Sequence, residues 1–195
     1  MGLMSSKTKE EVFGVLSEEE LEEVKIGSCF TREEIQKIYN RFAQVDLDGS
    51  NTLDVDEFLQ FPEFRLNPLA YRLKELLDRE KKGVITFRDF IRVMSAFSHN
   101  ARPEDKQRLA FQLYDLDDDG KISKDDLLGA LKLTVSVGTD PDGNELALDE
   151  DGLRTVVDHT FDEVAPGLAH IDYDSFVKVV TLPGSELLTK MTIQF

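Results

Sequence analysis

The stretch Asp115-Leu-Asp-Asp-Asp-Gly-Lys-Ile-Ser-Lys-Asp-Asp126 decides how the whole chain is read. Carboxylates stand at its first, third and fifth positions, glycine at the sixth, isoleucine at the eighth and aspartate at the twelfth. A chain wound around a hard cation presents alternate residues inward and needs a sharp turn midway. Its aliphatic eighth residue leaves the loop to pair with a neighbouring loop. Asp115, Asp117, Asp119, the Lys121 carbonyl and Asp126 are therefore candidate metal ligands. An acidic turn between helices would not account for so complete a match. The closing residue is unusual, because a calcium loop normally ends on glutamate. Asp126 is one methylene shorter and would reach an ion through one oxygen, leaving a shell nearer six. Magnesium prefers such an octahedron, whereas calcium accepts seven or eight oxygens. The loop is thus expected to tolerate magnesium and to hold calcium less tightly than a glutamate-closed one.

Three further stretches share the frame. In Asp46–Glu57 the ligand positions carry Asp46, Asp48, Ser50, the Thr52 carbonyl and Glu57, with Asp54 placed for a water-bridged ninth position. Asn51 replaces the turn glycine, and asparagine tolerates the left-handed backbone better than most residues. This loop reads as competent. In Asp78–Asp89 the series is Asp78, Glu80, Lys82, the Val84 carbonyl and Asp89; a lysine at the fifth position opposes a cation, so a scaffold role is expected. The last loop offers Val164, Pro166, Leu168 and Ser175, none a carboxylate, and retains only Ile171 at the eighth position to pair with Ile122. Asp140–Asp151 also carries acids at its first, third and twelfth positions, but Glu145 at the turn and Ala147 at the eighth mark it as a surface loop.

Apolar residues at helical spacing flank all four loops, as in Ile35, Ile38, Tyr39 and Phe42 before the first, and Leu109, Ala110, Leu113 and Tyr114 before the third. The pattern predicts eight amphipathic helices. Ser17 with Glu20, and Thr31 with Glu34, read as capping boxes. The expected fold is all-α, four helix–loop–helix units in two paired lobes with short β-ribbons between paired loops. The divisions expected are a leading segment 1–30, a first pair 31–97, a linker 98–105, a second pair 106–182 with an insertion at 138–152, and a tail 183–195.

Composition narrows the function. The chain has 23 Lys plus Arg against 39 Asp plus Glu, a formal net charge of −16, which argues against nucleic-acid binding and against electrostatic docking on an anionic membrane. No apolar run approaches the roughly 20 residues of a membrane span, and no secretion signal is evident at the start. The single Cys29 suits a reducing compartment and lacks an activating neighbour in sequence. His99, His159 and His170 are scattered. No phosphate-cradling glycine loop or nucleophile elbow is present, so an enzyme is not expected.

With these loops in place, the chain resembles the calcineurin B superfamily of four-EF-hand proteins over nearly its whole length. The resemblance is carried by FPEFRLNPL between the first two units and by LAFQLYDLDDDGKIS at the third. LSEEELEEVKIGSCFTREEIQKIYNRF and KMTIQF are similar to the calcineurin B homologous proteins that support sodium/proton exchangers. The resemblance implies a calcium-binding regulatory subunit with two Ca2+ sites, in the first and third hands, Mg2+ being an alternative at the third. It also implies an apolar groove that takes an amphipathic helix of a partner, either a protein phosphatase catalytic subunit or a transporter tail. A calcium buffer that needs no partner is the third reading. Met94 and Phe97 are candidate groove residues, and the tail Leu187–Phe195 is apolar enough to lie in such a groove. Gly2, after removal of Met1 and with Ser6 following, fits the myristoylation pattern common in this family. A single acyl chain anchors weakly, so the expected location is cytoplasmic with peripheral membrane contact.

Overall fold

A computed structural model describes residues 16–65, 67–135 and 149–182. Gly2, the tail 183–195 and most of the insertion lie outside the described residues. Helix α1 (Glu18–Ile26) and helix α2 (Arg32–Val45) both open on the capping boxes predicted, with Ser17 and Thr31 accepting from the amides of Glu20 and Glu34 and the two glutamates accepting in return. The chain continues through β1 (Thr52–Leu53), α3 (Val55–Phe58), α4 (Pro62–Arg65), α5 (Ala70–Leu77), β2 (Ile85–Thr86) and α6 (Phe87–Met94), which runs into a 3-10 turn at Ser95–Phe97. The second half comprises α7 (Pro103–Tyr114), β3 (Ile122–Ser123), α8 (Lys124–Val135), α9 (Glu150–Val164), β4 (His170–Ile171) and α10 (Tyr173–Val180). The all-α fold with two small antiparallel ribbons is as expected.

The ribbons place the loops. Leu53 pairs with Ile85, and Ile122 pairs with Ile171, so each eighth-position aliphatic meets its counterpart. Three of these four side chains are at most 3% exposed, which joins every loop to a core through its own midpoint.

Where the pattern predicts eight helices, the exit helix of the first hand is broken in two. The amides of Gln60 and Phe61 bond back only three residues, to Glu57 and Phe58, tightening the end of α3. Pro62, which has no amide to give, then starts α4 at the position where none is needed. Proline also opens α7 at Pro103, inside the stretch expected as a linker. Asp149 caps α9 by accepting from Gly152, so the last part of the expected insertion is helical.

The first core is phenylalanine-rich. Phe61 stacks on Phe90 at 5.1 Å, Phe58 on Phe64 at 4.7 Å, and Phe42 meets the edge of Phe87 at 5.3 Å. Met94 and Phe97 belong to this core, so of the two roles open to them, core packing and groove lining, the structure places them in packing. A second core gathers Phe111, Leu128, Leu153, Val157, Phe161, Ile171 and Phe176. Helix α7 serves both: Leu109 and Leu113 face the first core, Ala110 and Phe111 the second. No helix among the described residues is long and apolar enough to cross a membrane. Phe90, fully buried between Phe42 and Phe61, is the keystone of the first core. Phe90→Ala should cost about 3–5 kcal/mol of unfolding free energy, read as a lowered urea midpoint.

Candidate metal centres

Each loop begins where an incoming helix ends, and in the first three loops an aspartate is the residue just past the last turn. In the first loop, Asp46 accepts from the amides of Ser50 and Asn51 at 3.0 and 2.9 Å, and Asp48 from Ser50 at 2.9 Å. These bonds fold the loop over its own carboxylates. Asn51 adopts φ +59°, the left-handed turn that asparagine tolerates in place of glycine. Glu57 returns from α3 to accept from the Leu47 amide at 2.8 Å, closing the loop from its far end. Oxygens of Asp46, Asp48 and Glu57 thereby lie within 4.8 Å of one another. The Ser50 hydroxyl donates to the Thr52 carbonyl at 3.0 Å, which ties the two remaining candidates to each other. Asp54 also caps α3, one of its two oxygens accepting from the Glu57 amide at 2.8 Å.

The third loop repeats the design. Asp115 accepts from Asp119 and Gly120 at 3.1 and 3.0 Å, and Asp117 from Asp119 at 3.1 Å. Gly120 takes φ +83°. The gathered oxygens are those of Asp115, Asp117 and Asp119, again within 4.8 Å. Asp126 does not join that group. It accepts from the Leu116 amide at 3.1 Å and from the Ser123 amide and hydroxyl at 2.8 and 2.5 Å. Glu57 makes the same pair of bonds, to Leu47 and Asp54, yet still reaches the ring. The missing methylene accounts for the difference. The Lys121 amide is turned onto Asp119 at 2.8 Å. Both loops fit a hard divalent cation by donor chemistry, all oxygen, and by the convergence of three carboxylates. The electrostatics agree at the third: burial pushes the Asp115 carboxyl above its ordinary range, overcoming the amides of Gly120 and Asp119, and the charges of Asp118 and Asp119 add to it.

The second loop has the same backbone and supplies its own cations. Asp78 accepts from Lys82 and Gly83 at 2.8 Å each and pairs with Lys74 at 3.2 Å. Glu80 pairs with Lys82, and Asp89 pairs with Arg92 at 3.0 Å. Burial tends to raise the Asp78 carboxyl, but the two amides and the Lys74 ammonium outweigh it and hold it below the ordinary range. Asp78 and Asp115 thus occupy one position in two loops and shift in opposite directions. The fourth loop keeps a left-handed residue at Gly167, but Val164, Pro166 and Leu168 carry no carboxylate to its ligand positions, and the Leu168 side chain is exposed.

Arg72 is a residue that sequence reasoning missed. It sits on α5 three residues after Leu69 and four before Leu76, on the apolar stripe, and a charged side chain on such a stripe is the available signal. Its side chain is 5% exposed and reaches across to α7 and the third loop.

Residues 40–62 match the model of an EF hand and residues 81–132 that of an EF-hand domain pair. The calcineurin B subunit of Naegleria gruberi is 38% identical over 180 residues, spanning 92% of this chain and 96% of the relative. The type 1 calcineurin B subunit of Dictyostelium discoideum is 35% identical, spanning 85% and 88%, and the calcineurin B subunit of Schizosaccharomyces pombe is 37% identical, spanning 86% and 90%. The chain belongs to the calcineurin B family. It is a calcium-binding regulatory protein made of EF hands, as the resemblance implied. The silent fourth loop and the aspartate-closed third loop are features of this member's own residues.

The Asp78 shift sets a pH dependence. A carboxyl held low in the folded state contributes stability above its unfolded value, about 4, and loses that contribution as pH falls through the folded value. The unfolding midpoint of the metal-free protein should therefore drop below about pH 4, and Asp78→Asn should show a smaller drop over that range, measured by urea titration at several pH values.

Proposed function

We propose that this chain is the calcium-binding subunit of a calcineurin-type protein phosphatase, carrying calcium in the first and third loops and holding an amphipathic helix of the catalytic chain. The observation that carries the reading is the division among the loops. Three carboxylates converge in the first and in the third, where Arg72 pairs only with Asp118, outside the converging set. Among the described residues, the carboxylates of the second are paired with lysine and arginine, and the ligand positions of the last carry none. The site residues are Asp46, Asp48, Ser50, the Thr52 carbonyl and Glu57 in the first, and Asp115, Asp117, Asp119, the Lys121 carbonyl and Asp126 in the third. Support for the partner comes from relatives named as calcineurin B subunits that align along nearly their entire length. Apolar side chains left in solvent at Leu133 on α8, Val156 on α9 and Leu182 just past α10 are suited to a helix of mixed polarity. Binding of calcium changes the angle between the helices flanking each loop and so the face offered to that helix. An acyl chain on Gly2 would add weak, reversible membrane contact to a chain that is otherwise cytoplasmic.

The position of Asp126 supports a third loop that accepts magnesium. Asp126→Glu should bind calcium about tenfold more tightly at that loop, with magnesium no tighter, in calorimetric titrations with each ion; a gain for magnesium would contradict the reading. Purification of the tagged protein from its own cells, with calcium or with chelator, tests the partner. A phosphatase catalytic chain should accompany it, and mass spectrometry of the same sample should find Gly2 acylated. Recovery of a transporter in place of a phosphatase, or a bare N-terminus, would refute the corresponding part.

A further inference from the structure

We propose that Arg72 is a strap between the two halves of the molecule whose hold is weakened by metal in the third loop, so that the strap and the ion oppose one another. Arg72 is rooted in α5, in the first half, and most of its acceptors lie in the second. Its Nε and Nη2 donate to the Gln112 carbonyl at 3.2 and 2.9 Å, and Nη2 also donates to the Asp115 carbonyl and, at 2.6 Å, to Asp118. From its own helix Glu75 accepts from Nη1 at 3.2 Å. The two carbonyls belong to the end of α7, where helical acceptors lack intrahelical donors and a cation is favoured. Asp118 stands at the fourth position of the loop with φ +59°. That position is outside the ligand set, so its carboxylate is left to the guanidinium.

The contact is charged, and the charge on one side changes when the loop is loaded. Asp115, Asp117, Asp118 and Asp119 crowd one loop and attract the guanidinium. A divalent cation among them offsets much of that negative charge; the guanidinium is 5% exposed and feels the change with less screening than a surface charge, although the Asp118 carboxylate itself is open to solvent. A cleft of about 750 Å³ lies between the second and third loops, lined by Lys74, Arg79 and Lys81 together with Glu75 and Asp78 from the first half and by Asp117 and Asp118 from the second. Linkage makes the effect mutual: if the ion loosens the strap, the strap lowers affinity for the ion by the same factor.

The proposal rests on the third loop being a calcium site, and the test separates the two. Calorimetry is done on the full chain carrying Asp46→Ala, so that uptake at the third loop alone is read. Arg72→Met should tighten calcium binding about fivefold, and Asp118→Asn, which leaves the guanidinium beside the loop with only Glu75 to pair it, should weaken it about as much. A merely structural arginine would give weaker binding in Arg72→Met, and that result, or no change, overturns the strap. Asp118→Asn keeps the carbonyl bonds and decides the matter if Arg72→Met does not fold, since unchanged or tighter binding there also overturns it. Absence of calcium uptake with both residues intact overturns the reading of the loop and the strap with it. A second readout is the distance between spin labels at Asp56→Cys and Asp125→Cys in a Cys29→Ser chain. The distribution should broaden on adding calcium, and should already be broad without calcium in Arg72→Met; identical distributions in all four samples count against the strap.

Discussion

A carboxylate held at the mouth of a helix, partly or wholly out of water, must meet a cation or enough N–H donors to remain charged. Everything particular about this member of the family follows from how each loop answers that demand at its first residue. Asp46 and Asp115 meet backbone amides and other carboxylates, a collection of like charge that a divalent cation would relieve. Asp78 meets amides and Lys74, and its neighbours Glu80 and Asp89 find Lys82 and Arg92. Val164 removes the demand altogether. The same backbone path, with left-handed residues at the fourth and sixth positions of the first three loops, therefore serves two chemistries.

Loops that need no ion still have work in the fold. The ribbon pairs Leu53 with Ile85 and Ile122 with Ile171, so each loop with converging carboxylates is held at its midpoint by one whose carboxylates are paired or whose ligand positions carry none. In the second loop, the internal salt bridges do the pairing. The fourth is anchored by Ile171 and Phe176 in the second core.

The frame was legible in the sequence because it is written in local signals. Helical periodicity, the two capping boxes, the left-handed turn residues and the eighth-position aliphatics each act within one loop or helix, and the structure places them accordingly. What escaped was set by contacts between distant segments or by geometry finer than spacing. Met94 and Phe97 have the periodicity of a groove and of a core alike, and only the packing of α6 against the phenylalanine cluster separates the two. Spacing alone puts Asp54 at the ninth position of its loop; its second role, as the N-cap of α3, follows from the start of that helix at Val55. Arg72 could be flagged as a charge on an apolar stripe, but its acceptors lie some forty residues away along the chain. The doubt over Asp126 was legible as to cause, a missing methylene, and the hydrogen bonds that hold it back from the ring show how that shortness takes effect.

The arrangement also constrains how the two ion-ready loops can sense one another. Each ribbon joins loops of the same half, the first to the second and the third to the fourth, so among the described residues no strand pairing links the first loop to the third. Coupling between them must travel through α7, which lends Leu109 and Leu113 to one core and Ala110 and Phe111 to the other, or through groups that cross beside it. Apolar packing along α7 is short-ranged and indifferent to charge. A guanidinium anchored in the helix that leads to the second loop, and bonded at the entry to the third, is sensitive to charge, and the second loop is tied by its ribbon to the first. The loop whose carboxylates are paired with lysine and arginine is then the middle link of the chain that connects the two loops in which three carboxylates converge.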